Sequence, residues 1–163
     1  MDGGNLMDIT DLIDQYVAGP QKLRGTLDGM SPEEIDATPV LGQWSTRQVI
    51  CHLADFEPVY AERMKHVIAE DQPIFTGGFH QQFADHLAYA ERDIEEELRV
   101  IEATRAQMAR IVRSLSTEAF DRTGIHSVDG AMTLTTLLER ITNHITHHSQ
   151  FIEEKKQALA AEV

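Results

Sequence analysis

Histidines are the residues of this sequence best suited to chemistry, and two of them share a helical spacing. The chain has eight histidines, of which His144 and His148 stand four residues apart near its end. In an α-helix this spacing places two imidazoles one turn apart on the same face. Desolvated imidazoles need polar partners, and a metal ion shared between the two would be one. Both fall within a stripe of apolar residues that recur at three- and four-residue steps: Leu134, Leu137, Leu138, Ile141, Ile145, Phe151 and Ile152.

His52 is the third candidate ligand. It follows Val49 by three residues and precedes Phe56 by four, so it faces the interior side of a second apolar stripe. Three inward imidazoles from two facing helices would form a site with open positions for water or substrate, whereas structural zinc sites are closed by four protein ligands. Such a ligand set suits zinc, nickel or iron as a divalent ion. The spacing therefore favours a catalytic type of metal site.

The spacing alone leaves two interpretations open, a metal site and three histidines that merely pack in the core. Other metal motifs are absent: the sequence has no His-Glu-x-x-His segment of the zincin type. The Glu-x-x-His motif of carboxylate di-iron bundles is missing too. The positions three residues before His52, His66, His144 and His148 hold Val49, Arg63, Ile141 and Ile145. No Gly-rich phosphate loop and no Ser-His-Asp arrangement is apparent.

Three further residues are weaker candidates for a catalytic role. Asp55 lies one turn after His52 and could orient an imidazole, although a solvent-facing carboxylate is an equally open interpretation. His147 is adjacent to His148, and His126 precedes the last helix in a loop that could overhang the pocket. The remaining histidines have no place in an apolar stripe and are expected on the surface or in loops: His66, His80 and His86.

Long amphipathic segments position these candidates, and capping residues mark where they begin. We predict a first helix over residues 6–27, with a break at Gly19–Pro20. Ser31 followed by a proline and two glutamates predicts a short helix. Ser45 opens the second long helix with a capping box. The apolar pattern of that helix continues beyond Pro58, which predicts a kink rather than an end.

The second half of the chain contains two more predicted helices. The third covers residues 81–115, and the fourth is capped by Thr133 and runs to about Ala160. Residues 71–79 form a predicted loop, and residues 116–132 a long connection in which a short extended pair has room. With no internal repeat and no sustained strand alternation, the fold class is all-α, a four-helix bundle. Its long connections need not follow simple up-down order.

Composition narrows the class of protein further. The 163 residues fit one domain over residues 6–163, preceded by a disordered start over residues 1–5. The net charge of −13 argues against binding to nucleic acid or anionic membranes, because phosphate contacts need a basic face. No apolar run approaches the roughly 18 residues of a membrane-spanning helix. The single cysteine, Cys51, cannot form an internal disulfide, so we expect a cytoplasmic protein in which this thiol packs in the core.

Three collinear segments carry a resemblance to a known family. Residues 42–55, with Trp44 and His52, resemble the second-helix signature of the DinB-like superfamily, particularly its YfiT-like metal-dependent hydrolases and thiol S-transferases. Residues 63–73 and 124–133 agree as well and lead into the final His-x-x-x-His-His run. The similarity spans residues 41–152. Where many relatives carry Arg-Gly-Gln after the last ligand, this chain has Ser149-Gln150-Phe151, so no role is transferred to those positions.

The resemblance implies a fold, a metal and a range of activities. In that family one histidine of the second helix and the His-x-x-x-His pair of the last helix bind the metal, which here are His52, His144 and His148. It also implies a bundle with a long crossover, frequent homodimers, and a small-molecule substrate. The activity varies between thiol S-transfer, with a low-molecular-weight thiol as co-substrate, and hydrolysis. A non-catalytic metal- or ligand-binding bundle, related to stress, is the alternative.

Overall fold

A computed structural model describes residues 8–77 and 80–161 of the chain. The predicted disordered start, residues 1–5, lies outside the described residues. The architecture is a four-helix bundle, which confirms the predicted fold class, with two short helices and a small sheet in the connections. The helices are α1 (Ile9–Thr26), α2 (Pro32–Asp36), α3 (Thr46–Ala69), α4 (His80–His86), α5 (Ile94–Arg113) and α6 (Leu134–Ala161). Among the described helices, none combines the length and the apolar character needed to cross a membrane.

The four long helices do not follow simple up-down order. Both α1 and α3 pack closely against α5 and α6. The consecutive helices α1 and α3 therefore lie on opposite corners of the bundle, as do α5 and α6. Long connections are required to join opposite corners, which explains the segments over residues 27–45 and 114–133, whereas residues 70–93 join the neighbouring helices α3 and α5. This arrangement puts α3 beside α6, the two helices that carry the candidate ligands.

Helix α1 runs without interruption through Pro20, so the predicted break at Gly19–Pro20 is wrong. A proline has no N–H to donate to the carbonyl four residues earlier, which here belongs to Tyr16. Arg105 of α5 replaces that donor, because its Nη1 lies 2.8 Å from the Tyr16 carbonyl oxygen. Gly19 permits this approach, since a Cβ at that position would collide with the guanidinium.

The predicted helix starts are confirmed by their hydrogen bonds. Ser31 and Ser45 each form a capping box at the start of α2 and α3. Thr133 precedes α6 and its hydroxyl accepts a hydrogen bond from the Thr136 amide at 3.0 Å. Helix α3 continues past Pro58 to Ala69, as its apolar pattern predicted.

The third predicted helix, over residues 81–115, is wrong as a single element. The structure divides it into α4 and α5, separated by turns in which Ala88 has a positive φ of 52°. Helix α5 begins anew because the Asp93 side chain accepts a hydrogen bond from the Glu96 amide at 2.9 Å. The turns between the two helices also bring Tyr89 into the core, where it is 2% exposed.

A three-stranded sheet covers one end of the bundle. Strand β1 (Ile74–Phe75) pairs in parallel with β2 (Thr123–His126), which pairs antiparallel with β3 (Gly130–Thr133). Strands β2 and β3 are the extended pair for which the long connection left room. Strand β1 falls in a segment predicted as loop, because its two residues are too few to show alternation. Gly130, where the tight turn ends and β3 begins, adopts a φ of 77°.

The interior consists of two apolar clusters with a polar layer between them. Along α3, Ala54 belongs to one cluster and Ala61 to the other, and Glu57 lies between them. Along α5, Arg105 lies in the same way between Ile101 and Met108. Both charged side chains are buried, with 0% and 1% of their surface exposed. The candidate ligands lie at the level of the cluster that contains Ala54 and Ile101.

Candidate metal centre

The structure brings the three predicted ligands together between α3 and α6. His52, His144 and His148 each offer a ring nitrogen, and these atoms all lie within 4.8 Å of one another. The ring centroids are 4.6 to 4.8 Å apart for every pair, so the imidazoles form a compact triangle. The closest nitrogens are Nε2 of His52 and Nε2 of His144, at 2.9 Å. Helical spacing positions two of the rings, and the packing of α3 on α6 supplies the third.

The environment keeps all three imidazoles neutral. Burial lowers the pKa of His52 to about 3, with a smaller contribution from the neighbouring His148. Burial likewise lowers the pKa of His144 to about 2 and that of His148 to about 4. A neutral imidazole keeps a lone pair, which is the form that binds a metal ion. At neutral pH the triangle therefore presents uncharged nitrogen donors.

Each imidazole of the triangle also has a ring nitrogen without a partner. The Nδ1 atoms of His52, His144 and His148 are buried and form no hydrogen bond within the described part of the chain. A buried polar atom that lacks a partner costs free energy, on the order of 1–3 kcal/mol. The cluster fits a divalent cation for a different reason, which is that one ring nitrogen of each imidazole lies within reach of a single ion. Metal binding by these residues stays a prediction.

Aromatic rings surround the triangle on its apolar side. The rings of Trp44 and Phe56 lie 5.2 and 4.8 Å from the His52 ring, centroid to centroid. Phe151 lies 5.7 Å from the His148 ring. These rings exclude water from the flanks of the site, which strengthens electrostatic interactions inside it.

A pocket of about 260 Å³ opens beside His148. It is lined by aromatic and apolar groups together with a lysine and two amides: Gly42, Gln43, Trp44, Val49, Gln81, His148, Phe151 and Lys155. Four larger grooves lie elsewhere on the described surface, one of them along Glu62 and His66, and none of the four is lined by the three clustered histidines. The pocket beside His148 is the one from which a small molecule would reach the triangle.

His80 is exposed, as predicted, but it also lies beside the site. Although it begins α4 and is exposed, its ring lies 5.2 Å from that of His52 and 4.8 Å from that of Phe56. Helix α4 folds back over α3 to place it there. No periodicity in the sequence could reveal this, because α4 is too short to have an apolar stripe and its position depends on a non-local contact.

Asp55 does not orient an imidazole of the triangle. Arg92 binds its carboxylate through two nitrogens, at 2.8 and 3.0 Å. Arg92 also forms an ion pair with Glu97, so Asp55 belongs to a network that joins α3 to the start of α5. Turns between α4 and α5 bring Arg92 to this position, and the prediction of one continuous third helix did not include them.

Of the other two candidates, His126 lies in the sheet and His147 beside the triangle. His126 is buried in β2, and its Nδ1 accepts hydrogen bonds from the amides of Val128 and Asp129 at 3.3 and 3.1 Å. Its ring contacts Phe75 at 5.8 Å rather than any ring of the triangle, so it stabilises the turn of the sheet. His147 is exposed and packs on the outer side of His148, with ring centroids 5.1 Å apart.

The remaining candidates behave as predicted. His66 and His86 are exposed, and His66 pairs with Glu70 at 2.6 Å. Cys51 is fully buried, and burial raises the pKa of its thiol to about 12, so it is a packing residue and not a nucleophile.

The sequence over residues 15–152 matches the model of the DinB superfamily, and the chain belongs to that superfamily. The resemblance seen in the sequence is thereby confirmed.

Its relatives include bacterial proteins provisionally named metal-dependent hydrolases. One from Oceanobacillus iheyensis is 29% identical over 86% of this chain and 81% of its own length. Another, from Geobacillus thermodenitrificans, is 27% identical over 80% of this chain and 74% of its own. In structure the chain is similar to YfiT from Bacillus subtilis, described as a probable metal-dependent hydrolase with an unusual four-helix bundle topology. That likeness has a TM-score of 0.87 at 22% identity and covers 93% of this chain and 87% of YfiT.

Proposed function

We propose that this chain is a metal-dependent enzyme that binds one divalent ion through His52, His144 and His148 and acts on a small molecule. The observation that carries the proposal is the triangle itself: three neutral imidazoles, one buried and two partly buried, each with a ring nitrogen within 4.8 Å of those of the other two. The names of the relatives support the same class of function. The donor set suits zinc, nickel or iron, and three protein ligands leave coordination positions open.

The reaction class that we favour is thiol S-transfer, with hydrolysis as the alternative within the same enzyme class. A bound divalent ion lowers the pKa of a thiol or a water that reaches an open position, so that thiolate or hydroxide is available at neutral pH. Hydrolysis commonly uses a carboxylate base as well. The two carboxylates of α3 nearest in sequence to His52, Asp55 and Glu57, are both held by arginines. Thiol transfer needs no such base, which favours it.

The chain's own residues would define the rest of the reaction. Trp44, Phe151 and Val49 provide an apolar wall for a small substrate in the pocket beside His148. The aromatic rings around His52 keep water away from the nucleophile. The neutral state of the three imidazoles keeps the site ready for a cation over the physiological pH range.

Metal content tests the site. Untagged protein is purified as the wild type and as the His148→Ala and His147→Ala variants, and the metal per chain is measured by mass spectrometry. His147 is the matched control, because it is the adjacent histidine of the same helix and faces outward. We expect a single ion per chain in the wild type and in His147→Ala, and loss of the ion in His148→Ala. Equal metal content in all three proteins would disprove the proposed ligand set.

Activity is tested on the metal-loaded protein. Conjugation of cysteine or glutathione to monochlorobimane reports thiol transfer, and release of nitrophenol from nitrophenyl acetate reports hydrolysis. We expect faster conjugation with wild type and with His86→Ala, a variant at an exposed histidine away from the site, and no acceleration with His148→Ala. Rates that equal those without protein for every thiol and ester would favour the non-catalytic binding bundle instead.

We further propose a cytoplasmic homodimer. The single cysteine is buried and no disulfide is available to the chain, which suits a reducing compartment. Dimerisation rests on the resemblance alone, and sedimentation of the purified protein at several concentrations tests it.

A further inference from the structure

Lys155 is the one residue of the pocket whose charge the proposed function leaves unused. It lies on α6 two turns after His148 and lines the pocket together with Trp44 and Phe151. Only 1% of its surface is exposed, which is unusual for a lysine. A buried charge without compensation costs several kcal/mol, so its retention needs a reason.

The Lys155 ammonium has few partners within the described residues. It donates one hydrogen bond, to the carbonyl oxygen of Phe151 at 3.0 Å, and lies 5.9 Å from the centroid of the Phe151 ring. Among residues 8–77 and 80–161 no carboxylate forms an ion pair with it, and the neighbouring Glu154 is exposed and bonded to Gln43. An ammonium has three donors, so two are left for a ligand.

A second polar atom of the same pocket is also free. The Oε1 atom of Gln43 is buried and forms no hydrogen bond within residues 8–77 and 80–161. Walls of Trp44, Val49 and Phe151 complete the pocket, so its polar atoms are few and set in apolar surroundings. This combination is typical of sites that orient a small organic ligand.

We propose that the substrate of this enzyme carries a carboxylate, and that Lys155 binds it while the reacting end of the molecule lies at the histidine triangle. The protein as a whole has a net charge of −13. A buried ammonium without an acidic partner is a local positive charge in this acidic protein, so it favours binding of an anion. Lys155 and His148 line the same pocket, so one small molecule can reach both. The pocket volume of about 260 Å³ restricts the ligand to a compact acid. The assignment names the substrate class of the proposed function and in that sense rests on it.

The test measures binding rather than activity and uses two probes of the same shape, phenylacetate and the neutral phenylacetamide. Trp44 is the only tryptophan of the chain and lines the pocket, so its fluorescence reports ligand binding. Wild type is compared with Lys155→Met, which keeps the side-chain length, and with Lys156→Met as the matched control. Lys156 is adjacent but lies outside the pocket, bonded to the Thr26 carbonyl oxygen. Circular dichroism and thermal unfolding check that each variant is folded.

We expect wild type and Lys156→Met to bind phenylacetate at least about tenfold more tightly than phenylacetamide, the effect of a charge-assisted hydrogen bond. Lys155→Met should bind both probes equally and unfold at a higher temperature without ligand, because an unpaired buried charge is gone. Equal affinities for the two probes in wild type would overturn the proposal. So would the absence of saturable binding, or an acid preference that survives in Lys155→Met.

Performing the titration with and without chelator separates this proposal from the one on which it rests. A preference for the acid in metal-free protein, together with failure of the metal-content test, would leave the anion pocket standing and reject the metal enzyme. Normal metal content with no role for Lys155 in acid binding would reject the substrate class alone.

Discussion

Two polar groups of side chains lie inside the same bundle, and they differ in how their atoms are satisfied. Arg105 is at the centre of the first and connects its own helix, α5, to the three other long helices. It binds Glu57 of α3 at 2.6 and 2.8 Å, the Tyr16 carbonyl oxygen of α1 at 2.8 Å, and the Ile141 carbonyl oxygen of α6 at 2.6 Å. The second group is the histidine triangle, in which His52 is buried and the other two rings are partly buried, with one internal contact and three Nδ1 atoms without partners in the described part of the chain.

The difference distinguishes a structural polar centre from a functional one. The donor nitrogens of Arg105 all bind acceptors within the protein, and one acceptor of the group, Oε2 of Glu57, has no partner in the described part of the chain; these bonds hold the helices in register. The triangle lies between only two of the helices and leaves its donor atoms for a ligand. Burial alone does not reveal function, because Arg105, Glu57 and His52 are all buried; the number of unsatisfied atoms in each group is what differs.

The largest effect is expected from Arg105→Met. It would leave Glu57 buried without its counter-charge and remove the donors to two carbonyl groups, so the free energy of unfolding should fall by about 3–5 kcal/mol. Urea unfolding of metal-free protein measures this, with Arg110→Met, an exposed arginine of the same helix, as control. A loss below about 1 kcal/mol would contradict a structural role for the group.

His148→Leu should change stability in opposite directions with and without metal. In metal-free protein it removes a partly buried polar ring that has no hydrogen-bond partner, so stability should rise by about 1 kcal/mol. With metal at about one hundred times its dissociation constant, the free energy of unfolding of the wild type alone should increase by about 2.7 kcal/mol. The wild type would then be the more stable of the two proteins. Thermal unfolding with and without metal provides the comparison. The same order under both conditions would mean that the triangle is an ordinary part of the core.

The triangle should also make the metal-free protein sensitive to mild acid. The pKa of His148 falls from its usual value near 6.5 to about 4 on folding, so between these values the unfolded chain binds more protons. This contribution to stability is fully present above pH 6.5 and is lost as the pH falls toward 4. His148→Leu should therefore gain about 1 kcal/mol relative to wild type between pH 6.5 and pH 5, with allowance for solvent screening at this partly exposed ring. Urea unfolding across that range measures it, and parallel pH profiles would refute it.

A double-mutant cycle tests whether Arg105 replaces the hydrogen-bond donor that Pro20 lacks in α1. In the Arg105→Met background, Pro20→Ala supplies an N–H that can bond the Tyr16 carbonyl oxygen left without a donor. We expect Pro20→Ala to change the free energy of unfolding more favourably in the Arg105→Met background than in the wild type, by about 1 kcal/mol. Equal effects of Pro20→Ala in both backgrounds would show that the Tyr16 carbonyl does not depend on the guanidinium.

Asp55→Asn should have the smallest effect on the site. Because Arg92 holds this carboxylate and no imidazole of the triangle bonds to it, metal affinity should change by less than about twofold. A partner that orients a ligating histidine would instead cost about 10- to 100-fold in affinity. Competition with a fluorescent zinc chelator distinguishes the two outcomes.

Sequence periodicity was sufficient for the parts of this protein that depend on residues a few positions apart. The spacing of His144 and His148, the place of His52 in its own stripe, and the caps at Ser31, Ser45 and Thr133 all follow from the geometry of a single helix. The same reasoning failed where a helix ends within an apolar pattern. Asp93 with Glu96 forms a cap that the sequence contains, but the surrounding periodicity concealed it.

Tertiary structure alone decided what comes from distant parts of the chain. The continuity of α1 through Pro20 depends on a guanidinium of α5, and the position of His80 depends on how α4 folds over α3. Whether a buried charge is paired, as in Arg105, or left for a ligand, as we propose for Lys155, also depends on which side chains the packing brings within reach. Local spacing determines the face on which a side chain lies, but only the packed bundle determines what it meets there.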